Sequence, residues 1–456
     1  MSGKRQRISG WGGVPEAETE LHRPERIAEL VGLARAGEAR IPRGLGRAYG
    51  DAAFLGGGRT VLLERLDRLL AIEEEGDEVF VRAEAGTRLD RLIDAVLPRG
   101  LFPAVVPGTA EVTLGGMVAA DVHGKNHHRD GAVSNHVPEL GLIGPDGARH
   151  TISARAQDEL FWSTFGGMGL TGFIEWVRLR LVRVPSAYFS VDLERSPDLS
   201  TSLARFTDDD DAYGFSVSWI DCLARGSSLG RGVLMRGNWL PAEDLPAKLR
   251  DEPYRVARKP LEPRVPLMPP VSLVNPLTMR AFNEAFYRKH PRKRAGVVQG
   301  YSDFFFPLDW VRDWNRIYGP GGFQQYQFVV PFETAEAALV QVLERISAAG
   351  VASFLAVLKQ MGPGQPRARL SFPQPGVILA LDLPHRGVET DALLEELDRR
   401  VLEHGGRLYL AKDARMSAAT FRAMYPELPA WQEVKAKIDP EGRFVSDLAR
   451  RLELMP

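Results

Sequence analysis

Three glycine-rich stretches in the first half of the chain are the first candidates for chemistry. They read "PRGLGRAYGDAA" (residues 42–53), "PGTAEVTLGGMVAADVHGKNHH" (residues 107–128) and "FGGMGLTG" (residues 165–172). Glycine lets the backbone approach a ligand closely and adopt positive φ angles, so that successive N–H groups can converge on a pyrophosphate. With 45 glycines in the chain, one such cluster is expected by chance. Three clusters separated by strands favour a shared anionic ligand.

A Rossmann fold is the obvious alternative for the first stretch. Gly44-Leu45-Gly46 follows a predicted strand, and Glu64 lies about where a ribose-binding acid is expected. The following residues, "RAYGDAAFLGGG", have no helical repeat. A dinucleotide fold needs a helix whose N-terminus meets the pyrophosphate, so this alternative is set aside.

The long motifs identify a family by resemblance. "RGLGRAYGD", the stretch 107–128 and "FWSTFGGMGLTG" resemble the vanillyl-alcohol-oxidase (PCMH) type of FAD-binding domain. "HGKNHH", "QYQFVVP" and "LYLAKDARMSAATFRAMYP" resemble more specifically one branch, the flavoprotein oxidases of bacterial arabinan precursor synthesis. The resemblance runs from about Gly10 to the C-terminus. It implies FAD as the cofactor.

The resemblance also implies an α+β fold in three parts. Residues 1–185 would form a two-subdomain PCMH-type FAD-binding domain. Residues 186–405 would form a substrate domain of antiparallel sheet and helices, and residues 406–456 would return to complete the flavin site.

The resemblance assigns cofactor contacts residue by residue. The pyrophosphate would be wrapped by Pro42, Arg43, Gly44, Leu45, Gly46, Arg47, Ala48, Tyr49, Gly50, Asp51 and Ala52. The flavin and its ribityl chain would be lined by Gly108, Thr113, Leu114, Gly115, Gly116, Ala120, Asp121, Val122 and His123. Ile174 would contact the adenine end and Tyr409 the flavin. Covalent attachment in the superfamily often uses a histidine of the first loop, where this chain has Arg47, so we predict noncovalent FAD.

Alcohol oxidation needs a group that takes the hydroxyl proton and a positive charge where negative charge accumulates. Lys412 is the candidate for the second role and, with a lowered pKa, for the first; the alternative is a surface salt-bridge lysine. His123 would orient flavin or substrate, or be a hydrogen-bonded structural histidine. Tyr49 would stack or hydrogen-bond near the flavin, or be a core aromatic. The positions matched to the substrate cleft are Gln325, Gln327, Lys359 and Lys412.

Position 380 departs from the family pattern. Mycobacterial members have a cysteine beside the flavin in the strand that here reads "PGVILALDLP", where this chain has Ala380. The chain's single cysteine, Cys222, lies elsewhere. We therefore predict that inhibitors needing that thiolate bind at most reversibly.

The resemblance implies oxidation of the ribose 2-hydroxyl of decaprenylphosphoryl-β-D-ribose, a polyprenyl-phosphate sugar, to a 2-keto intermediate. A quinone or another acceptor would take the electrons, and a partner reductase would complete the epimerisation. Two alternatives stay open at this point. One is an FAD-dependent sugar or alditol oxidase that makes hydrogen peroxide, and the other is a nonenzymatic flavin-binding protein.

The elements that must position these residues follow from size and pattern. At 456 residues with 44% hydrophobic content, two or three domains are expected. Periodicity predicts helices over residues 27–36, 87–97, 157–164 and 335–349, strands over residues 39–42, 60–64, 78–83, 173–184, 215–220 and 325–331, and a hairpin at Pro145-Asp146-Gly147.

Charge and composition limit the partners. A net charge of −1 gives no field that attracts nucleic acid. One cysteine excludes an intrachain disulfide and multi-cysteine metal sites, and no metal is predicted. The exception is the basic, proline-rich segment 254–296, interpreted either as a solvated surface loop or as a mobile lid that meets a phosphate-bearing lipid or membrane. With no apolar leader, we expect a cytoplasmic protein, peripheral to the inner membrane if its substrate is a lipid; a periplasmic site of action stays open.

Overall fold

The computed structural model describes residues 3–208, 210–256 and 263–455. Within them the chain is α+β, as expected, with helices packed around three sheets. The first half contains β1 (Lys4–Ser9), β2 (Glu16–His22), α1 (Ile27–Arg35), β3 (Arg40–Arg43), β4 (Arg59–Leu62), β5 (Leu69–Glu75), β6 (Glu78–Glu84), α2 (Leu89–Val96), β7 (Leu101–Pro103), α3 (Leu114–Ala119), α4 (His127–Asp130), β8 (Glu139–Ile143), β9 (Arg149–Ser153), α5 (Asp158–Thr164) and β10 (Phe173–Arg183).

These elements form two sheets. The first has the order β1-β2-β4-β3, and β4 runs parallel to both of its neighbours. The second has the order β5-β6-β10-β8-β9, with β7 also paired to β10. Residues 44–58, between β3 and β4, contain no helix. The rejection of a Rossmann fold is therefore confirmed.

Local sequence explains most of these elements. Leu89, Leu92, Ile93 and Val96 share one face of α2 and are buried, as the helical spacing predicts. The predicted hairpin is confirmed: β8 and β9 pair antiparallel around the Pro145-Asp146-Gly147 turn, where Gly147 has φ +76°. A positive φ at this turn position is what favours glycine.

The second half contains β11 (Tyr188–Ser196), α6 (Leu199–Asp208), β12 (Phe215–Ile220), β13 (Gly232–Trp239), α7 (Ala247–Arg250), α8 (Pro276–Lys289), β14 (Lys293–Gly300), α9 (Tyr301–Phe305), β15 (Phe323–Val330), α10 (Phe332–Ala349), β16 (Ala356–Met361), β17 (Gly376–Pro384), α11 (Val388–Glu403), β18 (Arg407–Leu408), α12 (Ala418–Met424), α13 (Leu428–Ile438) and α14 (Asp447–Arg451). Among the described residues, β11 to β18 form one sheet in the order β14-β11-β13-β12-β16-β17-β15-β18.

One face of this large sheet is covered by helices. Leu339 and Leu343 of α10 and Leu394 and Leu397 of α11 are buried in a single core with the sheet residues Tyr326, Phe328, Leu379 and Leu381. Side chains alternate along a strand, so residues 325 and 327 point to the opposite face. That opposite face is turned toward the first half of the chain.

The basic segment 254–296 is not a loop throughout. The interpretation as a solvated surface loop is therefore wrong for Pro276–Lys289. Helix α8 occupies Pro276–Lys289, capped by the Asn275 side chain, and β14 begins at Lys293. Residues 257–262, with the cations Arg258 and Lys259, lie outside the described residues. No helix of the described chain is both long and apolar enough to cross a bilayer.

Candidate active site

Three neighbouring strands present polar side chains on the face of the large sheet opposite the helices. Antiparallel partners point to the same face of a sheet. The register places Gln325 opposite Asp382, Gln327 opposite Ala380 and Lys359 opposite Ile378. The amide and ammonium groups assigned to the substrate cleft by resemblance therefore share one surface with Asp382 and Ala380.

The first glycine loop lies between this surface and the C-terminal segment. Tyr49 N–H donates to Ala411 O at 3.0 Å. A Cβ on Gly50 would lie 2.1 Å from Asp413 O, and one on Gly44 would lie 2.3 Å from Thr113 Oγ1. Glycine is therefore required at both positions by close packing. The backbone N–H groups of residues 44–48 donate to no residue that the structure describes.

The second glycine stretch folds into α3. Thr113 caps the helix by accepting from Gly116 N–H at 3.2 Å. The N–H groups of Leu114 and Gly115 donate to Thr87 O and Ala85 O, so these two amides are already used inside the protein. Gly108 has open space around its missing side chain, which leaves room for a ligand beside it.

The end of this stretch is rigidly held. Asp121 is fully buried at φ 42°, and its carboxylate accepts from Ser134 N–H, Ser134 Oγ and Ser371 Oγ. Burial raises the pKa of this carboxyl to about 6 despite those hydrogen bonds. Tyr409 Oη donates to Ala120 O at 2.8 Å, which joins the C-terminal segment to the stretch. Val122 is half-buried, and Ile174, buried in β10, lies opposite Leu142.

His123 lies where these parts meet. Its Nε2 is 3.0 Å from the Gln327 amide nitrogen, which donates to it, so the ring proton belongs on Nδ1. The ring packs against Phe372 and Tyr409 at centroid distances of 5.5 and 5.2 Å. Burial, followed by the nearby charges of Lys359, His127 and Lys412, holds the pKa of His123 well below its ordinary value. His123 is therefore a neutral, oriented donor.

Lys412 and Tyr49 meet on the same side. The Lys412 ammonium lies 4.0 Å from the centre of the Tyr49 ring. The Gln325 amide nitrogen donates both to Tyr49 Oη, at 3.3 Å, and to Asp382 Oδ1. Burial lowers the pKa of Lys412, Asp382 opposes this and Lys359 adds to it. The structure thus brings Lys412, Tyr49, His123, Gln325 and Gln327 together in one cleft.

Three further residues belong to this cleft and are missing from the sequence-based set: Lys125, His127 and Asp382. Lys125 and His127 stand in "HGKNHH", so their motif was noticed without their roles. Asp382 lies two residues beyond Ala380 in an apolar strand, and only the register with Gln325 reveals it. It is fully buried, and burial raises its pKa while Gln325 and Lys412 oppose the rise.

Arg47 is held by protein groups. Its guanidinium stacks on Trp11 at 3.7 Å and forms an ion pair with Glu111. Arg43 donates to Ser9 O at 2.8 Å, and Asp51 accepts from Arg451. The charged side chains of the first loop therefore build its shape, while its free amides at 44–48 are what a diphosphate requires. The donor set fits FAD.

Comparisons with known proteins identify relatives of the chain. The family model of the FAD binding domain matches residues 15–153, and that of D-arabinono-1,4-lactone oxidase matches residues 383–452. The chain is 40% identical to the decaprenylphosphoryl-beta-D-ribose oxidase of Mycolicibacterium smegmatis over 99% of this chain and 98% of that protein. It is 37% identical to an uncharacterized protein of Streptomyces coelicolor (80% of this chain, all of that one). It is 28% identical to the mitochondrial L-galactono-1,4-lactone dehydrogenase of Arabidopsis thaliana over 38% of this chain and 29% of that one.

Proposed function

The chain belongs to the decaprenylphosphoryl-β-D-ribose oxidase family of FAD-dependent oxidoreductases, and we propose that it oxidises the ribose 2-hydroxyl of decaprenylphosphoryl-β-D-ribose to a ketone. The observation that carries the proposal is the cleft itself. Amide groups of Gln325 and Gln327 and the ammonium groups of Lys359 and Lys412 line it. Such groups suit sugar hydroxyls and a phosphate.

The side chains divide the work of alcohol oxidation. FAD, when bound, supplies the acceptor for hydride. Lys412 Nζ, with its lowered pKa, takes the hydroxyl proton in its neutral form and afterwards carries the positive charge that the site needs. His123 Nδ1–H donates to the sugar, and the Gln325 amide holds Tyr49 Oη in place.

Anaerobic mixing tests this reaction. Purified yellow holoenzyme is mixed with a short-chain polyprenylphosphoryl-ribose, and the oxidised-flavin absorbance band is followed by stopped flow. We expect bleaching with the ribose compound and none with its 2-deoxyribose counterpart, which lacks the reacting hydroxyl. Persistent absorbance with the ribose compound would contradict the proposal.

A second candidate rests on the match of residues 383–452 to the D-arabinono-1,4-lactone oxidase model. A soluble sugar, alditol or lactone would then be the substrate, and oxygen would be reduced to peroxide. Oxygen consumption with a panel of such compounds separates the two. Turnover that equals or exceeds that of the polyprenyl-phosphate sugar would favour this candidate.

The proposed reaction needs two partners. A quinone or another acceptor reoxidises the flavin, and a reductase converts the 2-keto product to the epimeric sugar. Steady-state turnover with a short-chain quinone under anaerobic conditions tests the first partner. For the second partner, the ketone product should accumulate with this enzyme alone and should be consumed when a separate NAD(P)H-dependent reductase is added.

We propose that the cofactor is held without a covalent bond, since Arg47 replaces the histidine of the first loop. Denaturation of the holoenzyme in acid should release all flavin absorbance into the supernatant. Yellow colour that precipitates with the chain would contradict this prediction.

An exposed apolar segment supports peripheral contact with a bilayer. Five of the large exposed apolar side chains of the described residues lie between Leu267 and Leu277, with Leu267 79% and Leu277 80% exposed. Exposed cations of α8, Arg280, Arg288 and Lys289, follow directly. Apolar side chains next to cations suit an anionic lipid surface.

Vesicle sedimentation tests this contact. We expect binding to phosphatidylcholine vesicles that contain phosphatidylglycerol, with less binding to phosphatidylcholine alone. The variant Leu267→Ser/Leu277→Ser should lose binding. Val388→Ser, at an 83% exposed apolar residue of α11, is the matched control; equal loss in both variants would contradict the assignment of this surface.

A further inference from the structure

Lys125, His127 and Lys359 form a group of nitrogen donors at one end of the cleft, here called the Lys125 cluster. Lys125 and His127 lie at the end of the second glycine stretch, and Lys359 lies in β16. The two parts are joined, because Gly362 N–H, one residue beyond β16, donates to His127 Nδ1 at 3.2 Å. The cluster adjoins His123, whose ring lies 6.2 Å from that of His127.

The positive charge of the Lys125 cluster has no counter-ion in the part of the chain that the structure describes. Neither ammonium forms an ion pair with a described acid, and Lys125 instead donates to Phe304 O and lies over the Phe304 ring at 4.5 Å. Burial, followed by the charge of Lys359, lowers the pKa of Lys125 to about 7. Both lysines are half-buried, and cations taken partly out of water without an acid are costly unless an anion joins them.

Each member of the Lys125 cluster keeps at least one N–H donor without a partner among the described residues. His127 is 1% exposed, and because its Nδ1 accepts from Gly362, its proton is on Nε2, which has no partner among the described residues. Lys359 Nζ makes no hydrogen bond with a described residue, and Lys125 keeps further N–H donors beside the one given to Phe304 O. A buried, unpartnered N–H in the same cluster as two ammonium groups suits an anion with several oxygens.

We propose that the Lys125 cluster binds the phosphate of the substrate and thereby positions the neighbouring sugar carbon. This inference rests on the proposed function, in which the phosphate is on C1 of the ribose and the oxidised hydroxyl on C2. The phosphate must then lie beside the reacting carbon. Lys359 meets this requirement, because the strand register places it on the same face of the sheet as Gln327, whose amide donates to His123.

Titration with inorganic phosphate tests the cluster without turnover. Isothermal titration calorimetry of the oxidised holoenzyme is run at constant ionic strength, for the parent protein and for Lys359→Gln, Lys359→Met and Lys125→Gln. We expect binding by the parent and affinities weaker by about tenfold or more in the three variants, the size of one lost charged hydrogen bond. Lys248→Gln, at an exposed lysine of α7, should bind like the parent.

Substrate kinetics give the second arm. For a short-chain prenylphosphoryl-ribose, Lys359→Gln and Lys125→Gln should raise KM by about tenfold or more with kcat changed far less. For the corresponding prenyl riboside without phosphate, the variants should raise KM far less than they do for the phosphorylated compound. The flavin spectrum and melting temperature of each variant show whether it is folded and loaded with FAD. A variant that fails either measurement is replaced by Lys359→Met.

Equal phosphate affinity in the parent and the lysine variants, or no binding by the parent, would overturn the inference. So would KM increases of the same size for the phosphate-free riboside. A parent enzyme that binds phosphate through the cluster but oxidises neither ribose compound would contradict the proposed function alone. Weaker binding of free phosphate with unchanged KM for the phosphorylated substrate would mean that the site takes an inorganic anion, and would also overturn the inference.

Discussion

The Lys412 side chain shows how its surroundings shift the pKa of a single residue in this protein. Its ammonium lies over the Tyr49 ring, and the charges of Asp382 and Lys359 both act on its pKa. Burial disfavours the charged form, and the opposing effect of Asp382 is the smaller one, so the pKa of Lys412 lies below its ordinary value. A lysine that loses its proton more readily can act as a base.

Substitution of Lys412 should therefore remove both the base and the charge. We expect Lys412→Met to slow flavin reduction by about 10²–10⁴-fold. Lys412→Arg keeps a positive charge that does not titrate. In the parent protein the reduction rate should rise with pH, because the neutral amine is the active form; this rise should be absent in Lys412→Arg. An unchanged pH profile in the arginine variant would assign the base elsewhere.

Position 380 decides whether the cleft contains a reactive thiol. Ala380 lies opposite Gln327 on the cleft face, and Cys222 is 1% exposed with burial raising the pKa of its thiol to about 12. A protonated, enclosed thiol is unreactive. Inhibitors that bond to a cleft cysteine should leave the intact mass unchanged, whereas Ala380→Cys should gain one adduct. An adduct on the parent chain would contradict the prediction.

Helix α13 shows what an element contributes. Its Lys435 is fully buried, pairs with Asp439, and donates to Leu170 O at 2.7 Å and Phe444 O at 2.9 Å. Leu170 belongs to the third glycine stretch, and Phe444 forms an isolated parallel β-bridge with Arg40 at the start of β3. One ammonium thus fastens helix α13 to the glycine-rich half.

Lys435→Met should leave Asp439 buried without its cation and lower the free energy of unfolding by about 3–5 kcal/mol. Lys437→Met, two residues along the same helix at an exposed position, should change it by less than about 0.5 kcal/mol. Chemical denaturation monitored by flavin fluorescence and circular dichroism measures both. Equal stability of the two variants would show that the pair is not needed.

At the scale of the whole molecule, one arginine connects the first glycine loop to the C-terminal segment. Arg451 of α14 donates to Asp51 at 2.8 and 2.9 Å and pairs with Asp413 at 2.8 Å. Asp51 closes the first glycine loop, and Asp413 follows Lys412. Residues about 400 positions apart are therefore held in one network, which joins the first glycine loop to the residue that follows Lys412.

Arg451→Met should weaken FAD binding by about tenfold or more, because two buried carboxylates then repel each other beside the loop. Fluorescence quenching of FAD by the apoprotein measures the affinity. Arg399→Met, which removes an exposed i,i+4 ion pair of α11, is the control. Equal FAD affinity in the two variants would show that the Arg451 network does not contribute to FAD binding.

By itself, the sequence determined the local elements and the cofactor. Helical and alternating spacing gave α2, β10, β12 and the hairpin of β8 and β9 nearly to the residue, because each is encoded by a short apolar period and a turn. The glycine stretches and their motifs led to FAD, which the matching FAD binding domain supports. Helix α8 was missed because prolines and cations around it masked its short helical pattern.

Only the tertiary structure decided which polar residues share a site. Asp382 stands in an apolar strand, and its role depends on its register with Gln325 in another strand. The Lys125 cluster likewise joins residues 125–127 of the first half to the end of β16. Periodicity describes neighbours a few residues apart, whereas pairing across hundreds of residues depends on how sheets and helices pack. Charge and burial at the cleft, and hence its chemistry, come from that packing.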